Sequence, residues 1–173
     1  MNKSDLKIVF MGTPAFAATC LEKLCGEGYN VVLSVSQPDK PVGRKHILTP
    51  PETKVYAQSQ GIEVFQPTSM KSEEAYEKIR SCEPDLLITA AYGKILPQSV
   101  LDIPKYGCLN VHASLLPKYR GAAPVQYSIL NGRRAQSSSC STTQLRTRRA
   151  QSRKRRENSA RKSAKFRTKS RPA

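Results

Sequence analysis

The sequence predicts an α/β fold that is Rossmann-like, with a mostly parallel sheet and helices on both faces. Short apolar runs rich in β-branched residues alternate with segments of helical periodicity, which is typical of strands joined by helices. Each strand and the helix after it take about 30 residues, the length of a crossover between parallel strands. The runs are continuous rather than alternating, as in strands buried on both faces. In such sheets, ligands bind at the carboxyl ends of the strands.

The first strands and helix are predicted from the start of the chain. The run LKIVF at residues 6–10 predicts a strand that stops at Gly12. Pro14 suits the first turn of a helix, in which apolar residues recur at helical spacing up to Gly26. The run VVLSV at residues 31–35 predicts the second strand.

The following elements continue the alternation. Residues 36–49 are predicted to form a long loop, because they combine prolines with several basic side chains. A helix is predicted over 51–60 and a strand over 62–65. A second helix is predicted over 72–81, with a serine as its N-cap and two glutamates in its first turn. The run DLLITAAYG at 85–93 is the strongest indication of a buried strand in the chain.

The charge of the chain is concentrated at one end. The formal net charge is +16. Residues 1–132 hold 14 Lys and Arg against 12 Asp and Glu, whereas residues 133–173 hold 15 against the single acid Glu157. The last segment has no apolar periodicity, so it cannot bury enough apolar surface to offset the entropy of ordering. We therefore expect an α/β domain over 1–132 and a disordered, basic, low-complexity tail over 133–173.

The cysteines and the hydropathy exclude several classes of protein. The five cysteines form no C-x-x-C pair and have no histidine at metal-ligand spacing, so no metal site is predicted and a reducing cytoplasm is expected. No apolar stretch approaches the roughly 20 residues of a membrane helix, so no membrane association is expected.

Asn110 and His112 are the candidate catalytic residues. If residues 108–111 form a strand, both side chains point to the same face near its carboxyl end. An amide that donates to an oxyanion and an imidazole that passes a proton are what an acyl-type transfer needs. The alternative is a hydrogen-bonded core histidine beside a turn-forming asparagine. On spacing alone, this alternative is favoured.

Four blocks change this balance, because together they resemble one family. FMGTPAFA at 10–17, QPDKPVGR at 37–44, AAYGKILPQSVL at 90–101 and NVHASLLPKYRGAAP at 110–124 are similar in order and spacing to those of the methionyl-tRNA formyltransferases. The last block is specific to the wider folate-dependent formyltransferase family. The resemblance covers residues 6 to about 132.

The resemblance implies a reaction and two catalytic roles. The reaction is transfer of a formyl group from 10-formyltetrahydrofolate to the amino group of methionine on initiator tRNA. Asn110 would donate a hydrogen bond to the tetrahedral oxyanion. His112 would stabilise that oxyanion as an imidazolium and assist proton transfer.

The resemblance also implies binding residues for the folate. Ser114, Leu115, Leu116 and Pro117 match the family's tetrahydrofolate-binding turn. Residues 91–96 would line the pterin pocket.

The segment 36–49 resembles the family's tRNA-contacting insertion. Within it, Arg44 is the expected acceptor-stem contact, with Lys45 beside it. The alternative is a solvated surface loop with no ligand. The implied partners are therefore initiator methionyl-tRNA and folate, and the protein is expected to be a monomer.

The resemblance stops before the family's third catalytic residue. This is an aspartate expected shortly after residue 132, and residues 133–173 contain none. We therefore expect an incomplete catalytic domain that lacks the family's C-terminal β-barrel, has little or no formylation activity and is poorly soluble because its sheet exposes apolar surface. A second possibility is a nucleic-acid-binding protein that uses the basic tail, with a non-catalytic folate-binding α/β domain.

A shift of the reading frame near Gly132 would explain the change of character. If Ser137, Ser138 and Ser139 use TCN codons, reading from the third base of the Gln136 codon encodes only apolar residues up to Cys140. The coding DNA decides this hypothesis. It is wrong if the adjacent frame after codon 132 shows no continuation of the D-x-G-D type.

Overall fold

A computed structural model describes residues 2–43 and 46–112 and the backbone of residues 146–147. The strands are β1 (Lys7–Gly12), β2 (Asn30–Val35), β3 (Lys40–Val42), β4 (Ile47–Thr49), β5 (Val64–Phe65), β6 (Leu86–Ala90), β7 (Cys108–Val111) and β8 (Arg146–Thr147). The α-helices are α1 (Ala15–Gly26), α2 (Glu52–Ser59), α3 (Glu73–Ser81) and α4 (Gln98–Leu101). A 3-10 turn at Lys3–Asp5 precedes β1.

The main sheet has the strand order β5-β2-β1-β6-β7-β8. All neighbouring pairs are parallel except β7 and β8, which are antiparallel. The chain moves outward from β1 on one side through β2 and β5, and then crosses to β6 on the other side. The order therefore reverses beside β1, and in open α/β sheets such a reversal opens a crevice at the carboxyl ends of the strands.

The sheet is buried on both faces, which confirms the predicted three-layer arrangement. On one face, Val9 and Met11 of β1 pack with Leu33, Leu87 and residues of α3 and α4. On the other face, the intervening residues of β1 pack against α1 and α2. Successive side chains of a strand point to opposite faces, so β1 supplies both cores.

Gly12 sets the distance between β1 and α1. A Cβ atom at this position would lie 2.4 Å from Cβ of Ala17 and 2.9 Å from the carbonyl oxygen of Ala90. Only a glycine lets the end of β1 lie this close to both the helix and the neighbouring strand.

Most predicted elements are present within a few residues of the predicted bounds. The predicted N-cap of α3 is confirmed, because the side chain of Ser72 accepts a hydrogen bond from the backbone nitrogen of Ala75. The structure shows a strand at 108–111, as required for Asn110 and His112 to share a face.

The prediction of a loop over 36–49 is wrong at residues 40–42 and 47–49. Strands β3 and β4 pair there as an antiparallel hairpin, with Lys40 opposite Thr49 and Pro41 opposite Leu48. The hairpin is held by backbone pairing and not by a buried apolar face, since all three residues of β4 are exposed. A strand with no buried face leaves no alternation of apolar and polar residues in the sequence, and Pro41 argues against a strand.

In the tail, the structure describes only the backbone of residues 146–147, which form the short strand β8. Thr147 pairs with Leu109 and Arg146 with Asn110. The rest of the predicted tail lies outside the described residues, and so does the predicted boundary at residue 132. Within the part of the chain that the structure describes, no helix is long and apolar enough to cross a membrane.

Substitution of Gly12 tests the close approach of β1 and α1. Gly12→Ala is expected to lower the free energy of unfolding by about 1–3 kcal/mol, because backbone and helix must move to accept the new methyl group. Gly26→Ala is the matched control, since its added Cβ has no described heavy atom within 4 Å apart from its chain neighbours and the backbone of its own helix. Urea denaturation of both variants gives the measurement; equal stability of the two would contradict this account.

Candidate functional site

Four parallel strands end at one edge of the sheet and bring polar residues together there. Thr13 follows β1, Gln37 lies just after β2, and Tyr92 lies just after β6. Asn110 is the third residue of β7. Because β2, β1, β6 and β7 are adjacent in this order, these residues occupy neighbouring positions along the edge.

The side chain of Asn110 is exposed and oriented by Thr89. These two residues are direct partners in the register of β6 and β7. The hydroxyl Oγ1 of Thr89 donates to Oδ1 of Asn110 at 2.7 Å. An amide whose oxygen is engaged in this way presents its NH2 group as a donor to a ligand.

His112 directly follows β7, two residues after Asn110. Its side chain is half-buried and does not belong to either apolar core. The structure therefore places both residues of the predicted pair at the carboxyl end of a strand. An exposed amide donor and an imidazole at this position can act together on the oxygen of a bound carbonyl group.

The loop after β6 is fixed by its backbone. The carbonyl oxygen of Tyr92 accepts hydrogen bonds from Oγ1 of Thr13 at 3.2 Å and from Nε2 of Gln37 at 2.8 Å. Ala91 and Gly93 both have positive φ angles, of 44° and 81°. A positive φ angle is unfavourable for alanine, so Ala91 keeps this conformation only because the surrounding contacts fix the backbone.

The side chain of Tyr92 is part of an apolar core. Its ring is 4% exposed and packs in the core on the α3 side of the sheet. Burial raises the pKa of its hydroxyl to about 12. Of the segment predicted to line a pterin pocket, the Tyr92 side chain thus points into the protein, while Ile95 is 92% exposed.

A second group of polar side chains lies at the start of the β3–β4 hairpin. Nζ of Lys54 donates to both carboxylate oxygens of Asp39, at 2.9 and 2.8 Å, and Nε2 of Gln66 donates to Oδ1 at 2.8 Å. Hydrogen bonds from Lys54 and Gln66 lower the pKa of Asp39. The sequence analysis missed this group, because its members are separated by 15 and 27 residues.

The remaining predicted site residues lie outside the described part of the chain. These are Arg44 and Lys45 of the predicted nucleic-acid contact and Ser114, Leu115, Leu116 and Pro117 of the predicted folate-binding turn. Over the residues that the structure does describe, no group of three or more His, Cys, Asp or Glu side chains could hold a metal ion.

Comparison with known sequences identifies the family of this chain. The profile of the family described as Formyl transferase matches residues 6–145. The chain is 62% identical over 126 residues to a methionyl-tRNA formyltransferase of Macrococcus caseolyticus and 56% identical over 128 residues to one of a Geobacillus species. These matches cover 73% and 74% of this chain and 40% of each relative. The chain therefore spans about two fifths of the length of the curated relatives it matches.

Solved structures share the fold at low sequence identity. Glycinamide ribonucleotide transformylase 1 of Symbiobacterium toebii has a TM-score of 0.56 at 19% identity, over 73% of this chain and 60% of that one. A formyltetrahydrofolate deformylase of Pseudomonas syringae has a TM-score of 0.53 at 19% identity, over 73% of this chain and 42% of that one. Both likenesses support the Rossmann-like architecture.

Acid should weaken the contact between Asp39 and Lys54. The folded-state pKa of Asp39 lies below the ordinary value of 3.8, so its carboxylate stabilises the fold above that value and loses this effect as the pH falls through the folded-state pKa. Asp39→Asn is therefore expected to be less stable than the wild type at pH 7, with a difference that shrinks below pH 3.8.

Urea denaturation midpoints between pH 7 and about pH 2.5 measure this difference. Asp102→Asn is the control, because Asp102 is exposed and accepts one hydrogen bond from Gln98. A stability difference for Asp39→Asn that stays constant over the whole range would rule out the carboxylate as its cause.

Proposed function

Since this chain belongs to the formyl transferase family, we propose that it carries part of the site that transfers a formyl group from 10-formyltetrahydrofolate to the amino group of methionyl-initiator-tRNA. The placement of Asn110 and His112 at the carboxyl end of β7, with the Asn110 amide oriented by Thr89, is the observation that carries the proposal. The identity of 62% and 56% to methionyl-tRNA formyltransferases supports the tRNA substrate over other acceptors.

The proposed chemistry is an acyl-type transfer. The amine of methionine attacks the formyl carbon and forms a tetrahedral intermediate whose oxygen carries negative charge. The free NH2 group of Asn110 donates a hydrogen bond to that oxygen, and the His112 imidazolium stabilises it. When the bond between the formyl carbon and the folate nitrogen breaks, the proton lost by the amine passes to that nitrogen with the help of His112.

The two substrates are proposed to approach from neighbouring loops. Residues 114–117 and the loop 91–96 would hold the folate, and both follow strands that end at this edge. Arg44 and Lys45 lie between β3 and β4 in the chain and would contact phosphates of the acceptor stem, since backbone charge dominates affinity for nucleic acids. Lys40, at the start of β3, adds a described cation to the same hairpin. We further propose a monomer that acts in the cytoplasm.

The 173-residue chain itself is proposed to be impaired. Residues 133–173 contain no aspartate. A carboxylate that orients a histidine and raises its pKa is a usual partner of a histidine that must carry charge. The segment after residue 132 therefore supplies no counterpart of the aspartate expected as the third catalytic residue.

A chimera separates the chemistry of the site from the impairment of the chain. Residues 1–130 would replace the matching part of the Macrococcus caseolyticus relative. We expect the chimera to formylate initiator methionyl-tRNA from 10-formyltetrahydrofolate, and the 173-residue chain to show little or no turnover. In the chimera, Asn110→Ala should lower kcat by about 10²- to 10³-fold. His112→Ala should lower kcat by about 10²- to 10⁴-fold.

Two further variants of the chimera test the support of Asn110 by Thr89 and provide a neutral control. Thr89→Val keeps the shape of the side chain and removes the hydroxyl, so kcat should fall by only about tenfold. Gln58→Ala changes an exposed position on α2 and should leave kcat unchanged. A folded chimera without turnover would contradict the proposed function, and turnover of the 173-residue chain near that of the relative would contradict its impairment.

A second candidate function is favoured by the charge of residues 133–173. Fifteen basic residues against one acid can bind RNA without sequence preference. If they do, the affinity of the full chain for tRNA should fall steeply between about 50 and 200 mM salt. Deletion of residues 133–173 should abolish that binding. Unchanged binding after the deletion would exclude the tail as the RNA contact.

A further inference from the structure

The β3–β4 hairpin is attached to the domain through polar contacts. Ile47 and Leu48 of β4 are 62% and 68% exposed. Neither apolar core contains a described residue of the hairpin. The position of the hairpin therefore depends on hydrogen bonds and ion pairs at its base.

Four side chains form this base, and we call Gln37, Asp39, Lys54 and Gln66 the hairpin-base cluster. Asp39 immediately precedes β3 and accepts hydrogen bonds from Lys54 of α2 and from Gln66. Its ion pair with Lys54 is the least exposed among the described residues, with 20% of the Lys54 and 27% of the Asp39 side chain accessible. A pair that is partly shielded from water holds its geometry better than an exposed one.

The helix that supplies Lys54 is itself fixed to the edge of the sheet. Oγ1 of the buried Thr53 donates to the carbonyl oxygen of Thr13 at 3.2 Å. Thr13 in turn donates to the carbonyl oxygen of Tyr92. Asp39 is therefore held by an element that is anchored at the carboxyl end of β1.

Gln37 connects the hairpin directly to the loop after β6. Its Nε2 donates to the carbonyl oxygen of Tyr92 at 2.8 Å, its Oε1 accepts from Nζ of Lys40 at 2.9 Å, and its backbone oxygen accepts from Nε2 of Gln66 at 2.7 Å. The amide thus contacts the first residue of β3 at one end and the loop after β6 at the other.

The loop after β6 is shaped around the Gln37 amide. A Cβ atom at Gly93 would lie 2.5 Å from Nε2 of Gln37, so the two groups are in close contact. Lys94 adds a second connection, because its Nζ donates to the carbonyl oxygen of Thr68 at 2.7 Å, two residues after Gln66. The loop, the segment 66–68 and the start of the hairpin therefore each contact the other two.

We propose that Gln37 is a positioning residue that couples the β3–β4 hairpin to the loop 91–96, so that order in one segment is transmitted to the other, and that Asp39 holds the hairpin end of this contact. This inference rests on the proposed function only for the identity of the ligands, namely folate at the loop and the tRNA acceptor stem at the hairpin. Coupling between two sites is reciprocal, so a ligand that orders the loop also favours the position of the hairpin needed by the second substrate.

Hydrogen exchange of the ligand-free 173-residue chain tests the coupling without any assumption about function. Gln37→Met keeps the approximate size of the side chain and removes the amide. It should speed exchange about tenfold both in the loop 91–96 and in β3 and β4, as expected for the loss of hydrogen bonds. Asp39→Asn should speed exchange mainly in the hairpin, because the carboxylate of Asp39 accepts hydrogen bonds from Lys54 and Gln66 and not from the loop.

Two controls keep this test independent of global stability. Exchange in α1 and β6 should stay at the wild-type rate in both variants, which shows that the domain remains folded. Glu27→Gln removes an exposed ion pair with Lys3 and should alter neither segment. If Gln37→Met changes exchange in only one of the two segments, the coupling is absent.

Hydrogen exchange in the presence of a folate tests whether a bound ligand transmits order between the two segments. Saturating 5-formyltetrahydrofolate should slow exchange in both the loop and the hairpin of the wild type, but only in the loop of Gln37→Met. Slowing of the loop alone in the wild type would overturn the inference. Failure of the probe to bind would instead contradict the proposed folate site, and the ligand-free comparison would still decide whether the segments are coupled.

Discussion

Burial of β1 on both faces is the constraint on which the rest of the structure depends. Ile8, Val9, Phe10 and Met11 are at most 1% exposed, and their side chains alternate between the two apolar cores. Both neighbours of β1 are parallel to it, so the chain must return across a face of the sheet after each strand. Helices on both faces follow from this requirement, and so does the meeting of strand ends at one edge.

The edge combines a rigid support with adjustable polar contacts. Gly12 allows β1 and α1 to approach closely, which fixes where Thr13 leaves the strand. From there, hydrogen bonds to the carbonyl oxygen of Tyr92 connect the ends of β1, β2 and β6. The Thr89–Asn110 hydrogen bond extends the same arrangement to β7. A donor held in advance in this way needs little reorganisation when charge develops on a bound group.

The sequence predicted the features that depend on neighbouring residues. The apolar run of β6 and the N-cap Ser72 are local signals, and both lie where they were expected. The β3–β4 hairpin was missed because β4 has no buried face and β3 contains Pro41. The pairing of Asp39 with Lys54 and of Thr89 with Asn110 joins residues that are 15 and 21 positions apart. Such contacts arise from the topology of the sheet, and no spacing rule in the sequence reveals them. Asn110 and His112 were predicted as site residues from their motif, but the orientation of the Asn110 amide was not predicted.

The short strand β8 has a consequence for association between molecules. It pairs with β7 at Leu109 and Asn110 and so covers the backbone groups at that margin of the sheet. An uncovered margin offers unpaired N–H and C=O groups to strands of other chains and promotes edge-to-edge aggregation. Pairing with residues 146–147 therefore leaves fewer open backbone groups on the strand that carries Asn110, which lowers its tendency to pair with strands of other molecules. This effect comes from the backbone and is independent of the charge of Arg146.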